Sequence, residues 1–84
     1  DSNLVRVMAA KEKLLEVRAE SPLQLLQAAY HLGNRHVALD LQPDRLLLLE
    51  DPVLASMLLG RGLQVRSCEQ PFQPEGGAYE LHHH

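Results

Sequence analysis

Apolar residues recur at every second position from Leu15 through Val17 to Ala19, with Glu16 and Arg18 between them. That is the period of a strand with one buried face. Upstream, Leu4 to Val7 alternate more weakly and Ala9-Ala10-Lys11-Glu12 reads as a connector, so residues 1–12 form a lead-in. Ser21-Pro22-Leu23-Gln24 then offers a capping hydroxyl, a proline at the first helical position and a glutamine three residues after the cap. Leu25, Ala28, Ala29 and Leu32 give the resulting helix one apolar face, and Gly33 supplies a left-handed residue to end it near Leu32. Val37, Leu39 and Leu41 alternate again, and Gln42-Pro43-Asp44-Arg45 turns the chain into the apolar run Leu46 to Leu49, predicting a hairpin. Asp51-Pro52 repeats the cap-then-proline start; Val53, Leu54, Met57 and Leu58 form the apolar face of a second helix, ended by Gly60 and Gly62. Leu63, Val65 and Ser67 alternate with Gln64, Arg66 and Cys68 as a last strand. Pro71, Pro74, Gly76 and Gly77 then disfavour regular structure.

The order strand, helix, strand, strand, helix, strand is that of an α+β, ferredoxin-like βαββαβ sandwich, an antiparallel sheet with both helices on one face. The reading divides the chain into a lead-in (1–12), the sandwich (13–70) and a flexible C-terminal tail (71–84). Its 84 residues suit one small domain with a single core.

Charge narrows the functional classes. Eight basic residues against eleven acidic give a net charge of −3, so there is no cationic field for phosphates or anionic lipid. Nucleic acid and membrane partners are not expected. The single cysteine, Cys68, excludes an internal disulfide framework and suits a cytoplasmic setting. No apolar stretch reaches bilayer-spanning length. Asp1 stands where a start methionine would and a strand-like segment follows at once, which raises the expectation of a piece of a longer protein.

Catalytic chemistry finds no constellation. Ser2, Ser21, Ser56, Ser67 and Cys68 lack an acid–base partner pattern, and Gly60-Arg61-Gly62 reads as a helix exit rather than a phosphate loop. Glu50-Asp51 sits at a helix start, where negative charge is locally favoured. The five histidines are unevenly placed: His31, His36, then His82, His83 and His84. His31 falls in the last turn of the first helix, where the helix dipole favours an imidazole, and that role is weighed ahead of ligation. Strand alternation puts His36 with Ala38 and Asp40 on the outward face. One exposed imidazole competes poorly with water for an ion, and an ordinary surface histidine is the default reading. A two-fold dimer would change this by bringing two copies of the residue to one axis.

The segment Tyr30-His31-Leu32-Gly33-Asn34-Arg35-His36-Val37 resembles the signature segment of the UreE family, nickel chaperones of urease maturation. Pro71-Phe72-Gln73-Pro74-Glu75-Gly76-Gly77-Ala78-Tyr79 resembles that family's second conserved segment, and Asp44-Arg45-Leu46 and Asp51-Pro52-Val53-Leu54 through Met57-Leu58 follow its order between them. The likeness covers residues 13–79.

The resemblance implies the C-terminal, ferredoxin-like half of a two-domain protein, with residues 4–10 a remnant of the junction. It implies a non-enzymatic carrier in which His36 from each subunit of a homodimer binds Ni²⁺, for transfer to the urease accessory GTPase and the urease apoprotein complex. Cu²⁺ or Zn²⁺ would substitute, because nitrogen ligands do not select nickel. His82, His83 and His84 occupy the place of the family's histidine-rich tail, and a purification tag would look the same. The His-x-His pair that some members carry at the start of the second helix is replaced by Glu50-Asp51-Pro52, so that auxiliary site is not expected. Glu50 and Cys68 read as bystanders. The competing reading is a ferredoxin-like protein-interaction or regulatory module with incidental histidines.

Overall fold

The computed structural model describes residues 10–76. The strand pattern at Leu4–Val7 and the histidines at 82–84 lie outside the described residues. Within them the chain forms β1 (Lys11–Arg18), α1 (Pro22–Asn34), β2 (Asp40–Gln42), β3 (Arg45–Leu49), α2 (Pro52–Gly60) and β4 (Gln64–Pro71).

Each helix begins where a side chain satisfies otherwise unpaired amides. Ser21 Oγ accepts from the Gln24 amide at 3.1 Å. The Gln24 side chain reaches back to the Glu20 amide, at 3.1 Å, one residue before the amide that a capping box would use. Asp51 Oδ1 accepts from the amides of Val53 and Leu54, at 2.9 and 3.1 Å.

The sheet order is β2-β3-β1-β4, and every pairing is antiparallel. Register sets Leu15 opposite Leu48 and Val17 between Leu46 and Val65, and opposed residues share a face. Leu15, Val17, Leu46 and Leu48 pack with Leu25, Ala28 and Leu32 of α1, Leu58 of α2, and Leu39 and Leu63 in one core. Both helices therefore cover the same face, as the ferredoxin-like reading expects. Leu32 and Leu58 are fully buried, each contributing roughly 1.5–3 kcal/mol of transfer free energy.

The sheet's other face is not the solvated surface that the alternation of Glu16 and Arg18 suggests. Leu14 and Leu47 are also fully buried, and Glu16 is only 7% exposed. The consecutive burial of Leu46, Leu47 and Leu48 marks β3 as a strand covered on both sides. The chain beyond β4 also reaches this side of the sheet, at its β2 edge. Pro71, expected to open a loose tail, instead pairs with Lys11 as the last residue of β4. The chain then crosses to the opposite edge strand, where the Gln73 amide donates to Asp40 Oδ2 at 3.3 Å. The Glu75 amide donates to the Leu39 carbonyl at 2.7 Å. Asp40 is opposite Leu47, which is opposite Glu16, so the crossing meets β2 on the face away from the helices.

Other boundaries differ from the sequence reading. β1 starts at Lys11, inside the expected lead-in, because the long edge strand β4 offers it partners as far as Pro71. β2 starts only at Asp40, and Leu41, expected inward, is 47% exposed. It borders a shallow apolar groove between α1 and the hairpin, lined by Pro22, Leu25, Leu26, Ala29 and Pro43. Val53, assigned to the apolar face of α2, is 74% exposed. No helix among the described residues is long and apolar enough to cross a membrane.

Candidate metal centre

The two helix exits are built alike. At the end of α2 the Gly62 amide donates to Leu59 O at 3.0 Å and the Leu63 amide to Leu58 O at 3.1 Å. This is the paired-bond Schellman closure, with a left-handed residue just past the cap. That residue is Gly62, at φ 86°. At the end of α1 the His36 amide donates to Gly33 O at 2.9 Å and the Val37 amide to Leu32 O at 3.1 Å. The residue in the left-handed position here is His36, at φ 61°.

Gly33 therefore does not end the helix as expected; it lies inside α1, three residues before the left-handed position. Nor does His36 begin a strand. Its exposure comes from the helix-closing turn and not from strand parity. Among the described residues it is the only non-glycine with positive φ. An L-residue there is sterically disfavoured, although histidine tolerates it better than most. The backbone hydrogen bonds of the turn use the amide of His36 and leave its exposed ring to other chemistry.

His31 is set apart from that turn. It is half-buried, its ring lies edge-on to Tyr30 at 5.5 Å between centroids, and it lines a small cavity with Gln24, Gln27 and Arg61 against the end of α2. Cys68 is half-buried. Burial first, then the Glu16 carboxylate, pushes its thiol above the ordinary range, which disfavours a thiolate ligand. Glu50 is exposed and leads into the α2 cap. No group of three or more His, Cys, Asp or Glu side chains with metal-binding geometry occurs among the described residues.

An ionic cluster that the sequence reading missed lies on the strap-crossed face. Glu16 accepts from Arg45 Nη1 at 2.7 Å and Arg18 Nη2 at 3.1 Å, and Arg18 Nη1 reaches Asp44 at 3.0 Å. The hydrogen bond from Arg45 holds the Glu16 carboxyl below the usual carboxylate range despite its burial. The available signal was the unbroken run Leu46-Leu47-Leu48, since a strand buried on both faces buries its neighbours' polar positions too.

The family described as UreE urease accessory protein, C-terminal domain, matches residues 12–84. The chain belongs to the UreE C-terminal domain family. It is 65% identical over 80 residues to the urease accessory protein UreE of Parasynechococcus marenigrum, covering 95% of this chain and 53% of that protein. It is 49% identical over 84 residues to the UreE of Acinetobacter baylyi, covering 100% and 53%. It is 48% identical over 82 residues to that of Agrobacterium fabrum, covering 98% and 51%. The chain thus spans about half the length of these UreE relatives. UreE is named for an accessory role to an enzyme and not for a reaction, in agreement with the absence of a catalytic constellation in the sequence reading.

The two segments that resemble UreE motifs are neighbours in space. The first, around Tyr30–Val37, is the exit of α1 with its left-handed histidine. The described part of the second, residues 71–76, closes β4 and continues into the crossing strap, and the Glu75–Leu39 hydrogen bond joins it to the chain three residues beyond His36.

Proposed function

We propose that this chain is the metal-binding half of a nickel metallochaperone. A homodimer holds Ni²⁺ between two His36 imidazoles and passes it to the urease accessory GTPase and the urease apoprotein complex in the cytoplasm. One observation carries the reading. An exposed histidine occupies a left-handed backbone position whose counterpart in the same fold is glycine. Backbone conformations of that kind cluster at functional sites.

Two further features support the dimer. A single histidine needs a second donor, and an isologous interface supplies the same residue twice. On α1, Leu23, Leu26 and Tyr30 are 63%, 67% and 66% exposed, and their i, i+3, i+7 spacing makes one apolar stripe along the helix whose closing turn holds His36. With only two imidazoles fixed, water, backbone or tail groups such as His82, His83 and His84 complete the coordination shell. A partly open shell suits an ion that must be handed on, because a closed four-ligand cage holds it too firmly. Nitrogen donors also accept Zn²⁺ and, ahead of nickel in the usual affinity order, Cu²⁺, so selectivity rests on supply and partners. Ligation needs neutral imidazole, so protons compete with nickel for the site.

The test is nickel calorimetry on protein with the terminal histidines replaced by alanine, alongside sedimentation with and without metal. The expected result is one strong site per dimer, lost in His36→Ala, and a dimer strengthened by nickel. Unchanged affinity and stoichiometry in His36→Ala would sink the reading. The same exposed α1 stripe suits the second reading equally, a protein-interaction module with incidental histidines. That reading gains if self-association or partner binding proves independent of nickel.

A further inference from the structure

The stretch from His36 to β2 lies outside helix and sheet, and its hydrogen bonds run in two directions. On the α1 side the Val37 amide is tied to Leu32. On the other side the Leu39 carbonyl accepts from the Glu75 amide at 2.7 Å, and Asp40 Oδ2 accepts from the Gln73 amide at 3.3 Å. β2 itself is a three-residue edge strand, and so short an edge gives the preceding loop little support. A left-handed non-glycine residue persists only when its surroundings over-determine it. The loop at 37–39 is fixed from the helix by the closure of α1 and from the sheet by residues 73–75, which arrive from the far edge strand β4.

We propose that the crossing segment 73–75 is a positioning strap for His36. By clamping Leu39 and Asp40 it holds the loop that fixes the direction of the His36 ring, so the site's affinity depends on residues that do not touch the ion. Asp40 and the Glu75 peptide are positioning groups in this scheme, not ligands. The inference rests on the reading of His36 as the nickel-binding residue.

The test uses the whole chain with His82, His83 and His84 replaced by alanine, so that no tail imidazole contributes. Glu75→Pro removes the amide that donates to Leu39, Glu75→Ala keeps it, and Asp40→Ala removes the acceptor of the Gln73 amide. Amide hydrogen exchange without metal and nickel calorimetry are the two readouts. Loss of one such hydrogen bond corresponds to about a three- to ten-fold effect. Exchange at His36 and Val37 should therefore rise about that much relative to the β1 amides in Glu75→Pro and Asp40→Ala, with a matching fall in nickel affinity, while Glu75→Ala changes neither. If Glu75→Pro does not fold, Asp40→Ala carries the test. The proposal is overturned if these variants lower global stability but leave the exchange ratio and nickel affinity at the level of Glu75→Ala. Nickel binding that survives His36→Ala in this background defeats the metal reading instead, and the exchange data then report on the strap separately.

Discussion

Replacing His36 by glycine is expected to stabilise the metal-free domain while removing the proposed ligand. For an L-residue the left-handed region costs roughly 1–2 kcal/mol, and histidine falls at the low end because it is among the residues enriched there. Glycine relieves that cost but adds about 0.4–1 kcal/mol of unfolded-chain entropy. The ring is exposed, so little packing is lost. The balance is a gain of about 0.5 kcal/mol, or a rise in Tm of about 2–4 °C for a chain of this size. Alanine keeps the unfavourable backbone without histidine's tolerance of it and should lose about 0.5 kcal/mol. Urea unfolding followed by far-UV circular dichroism would rank the three proteins, with glycine first, the parent second and alanine last. Chelator is essential, because bound nickel would stabilise the parent by mass action. A glycine variant less stable than the parent by 1 kcal/mol or more would refute the reasoning: the imidazole would then stabilise the fold by more than the backbone costs.

Two glycines should respond to alanine with opposite signs. Gly62 sits at φ 86°, so Gly62→Ala should lose roughly 1–2 kcal/mol, whereas Gly33 is helical with open space where a Cβ would stand, so Gly33→Ala should gain about 0.5–1 kcal/mol; chemical denaturation measures both. The Glu16 carboxyl titrates below its unfolded value, so its stabilising contribution is full above about pH 4.3 and is lost as pH falls through the depressed folded value. Acid unfolding of Glu16→Gln should lack that component. Arg45→Ala, which removes the 2.7 Å partner of a buried carboxylate, should cost roughly 1–3 kcal/mol, read by urea unfolding at pH 7. Cys68, half-buried with a raised thiol pKa, should alkylate more slowly with iodoacetamide at pH 8 than an unfolded control.

Punctuation residues made the helices legible. Ser21-Pro22 and Asp51-Pro52 act through their own side chains and ring geometry, within three residues of themselves, so local sequence is sufficient. The core face of β1 was legible for a similar reason, since Leu15 and Val17 alternate with charge. What escaped depends on distant chain. Glu16 reads as solvated until the side chain of Arg45, 29 residues away in the chain, is brought to it. The end of α1 is not legible in the sequence because glycine is the usual left-handed residue, and Gly33 stands close enough to His36 to fit the same pattern. His36 is legible through family resemblance, whereas the strand parity expected at it fails because β2 begins only at Asp40.

The left-handed turn at the end of α1 acts as a filter on amino-acid choice. The residues that enter this region with least penalty are glycine, asparagine, aspartate and histidine, and of these only histidine offers a nitrogen donor suited to late transition metals. Aspartate would pass the same filter with an oxygen donor, so His36→Asp keeps the turn and changes which ions prefer it. For the proposed site, the backbone geometry thus narrows the side-chain donors to the oxygens of asparagine and aspartate and the nitrogen of histidine before any ion is bound.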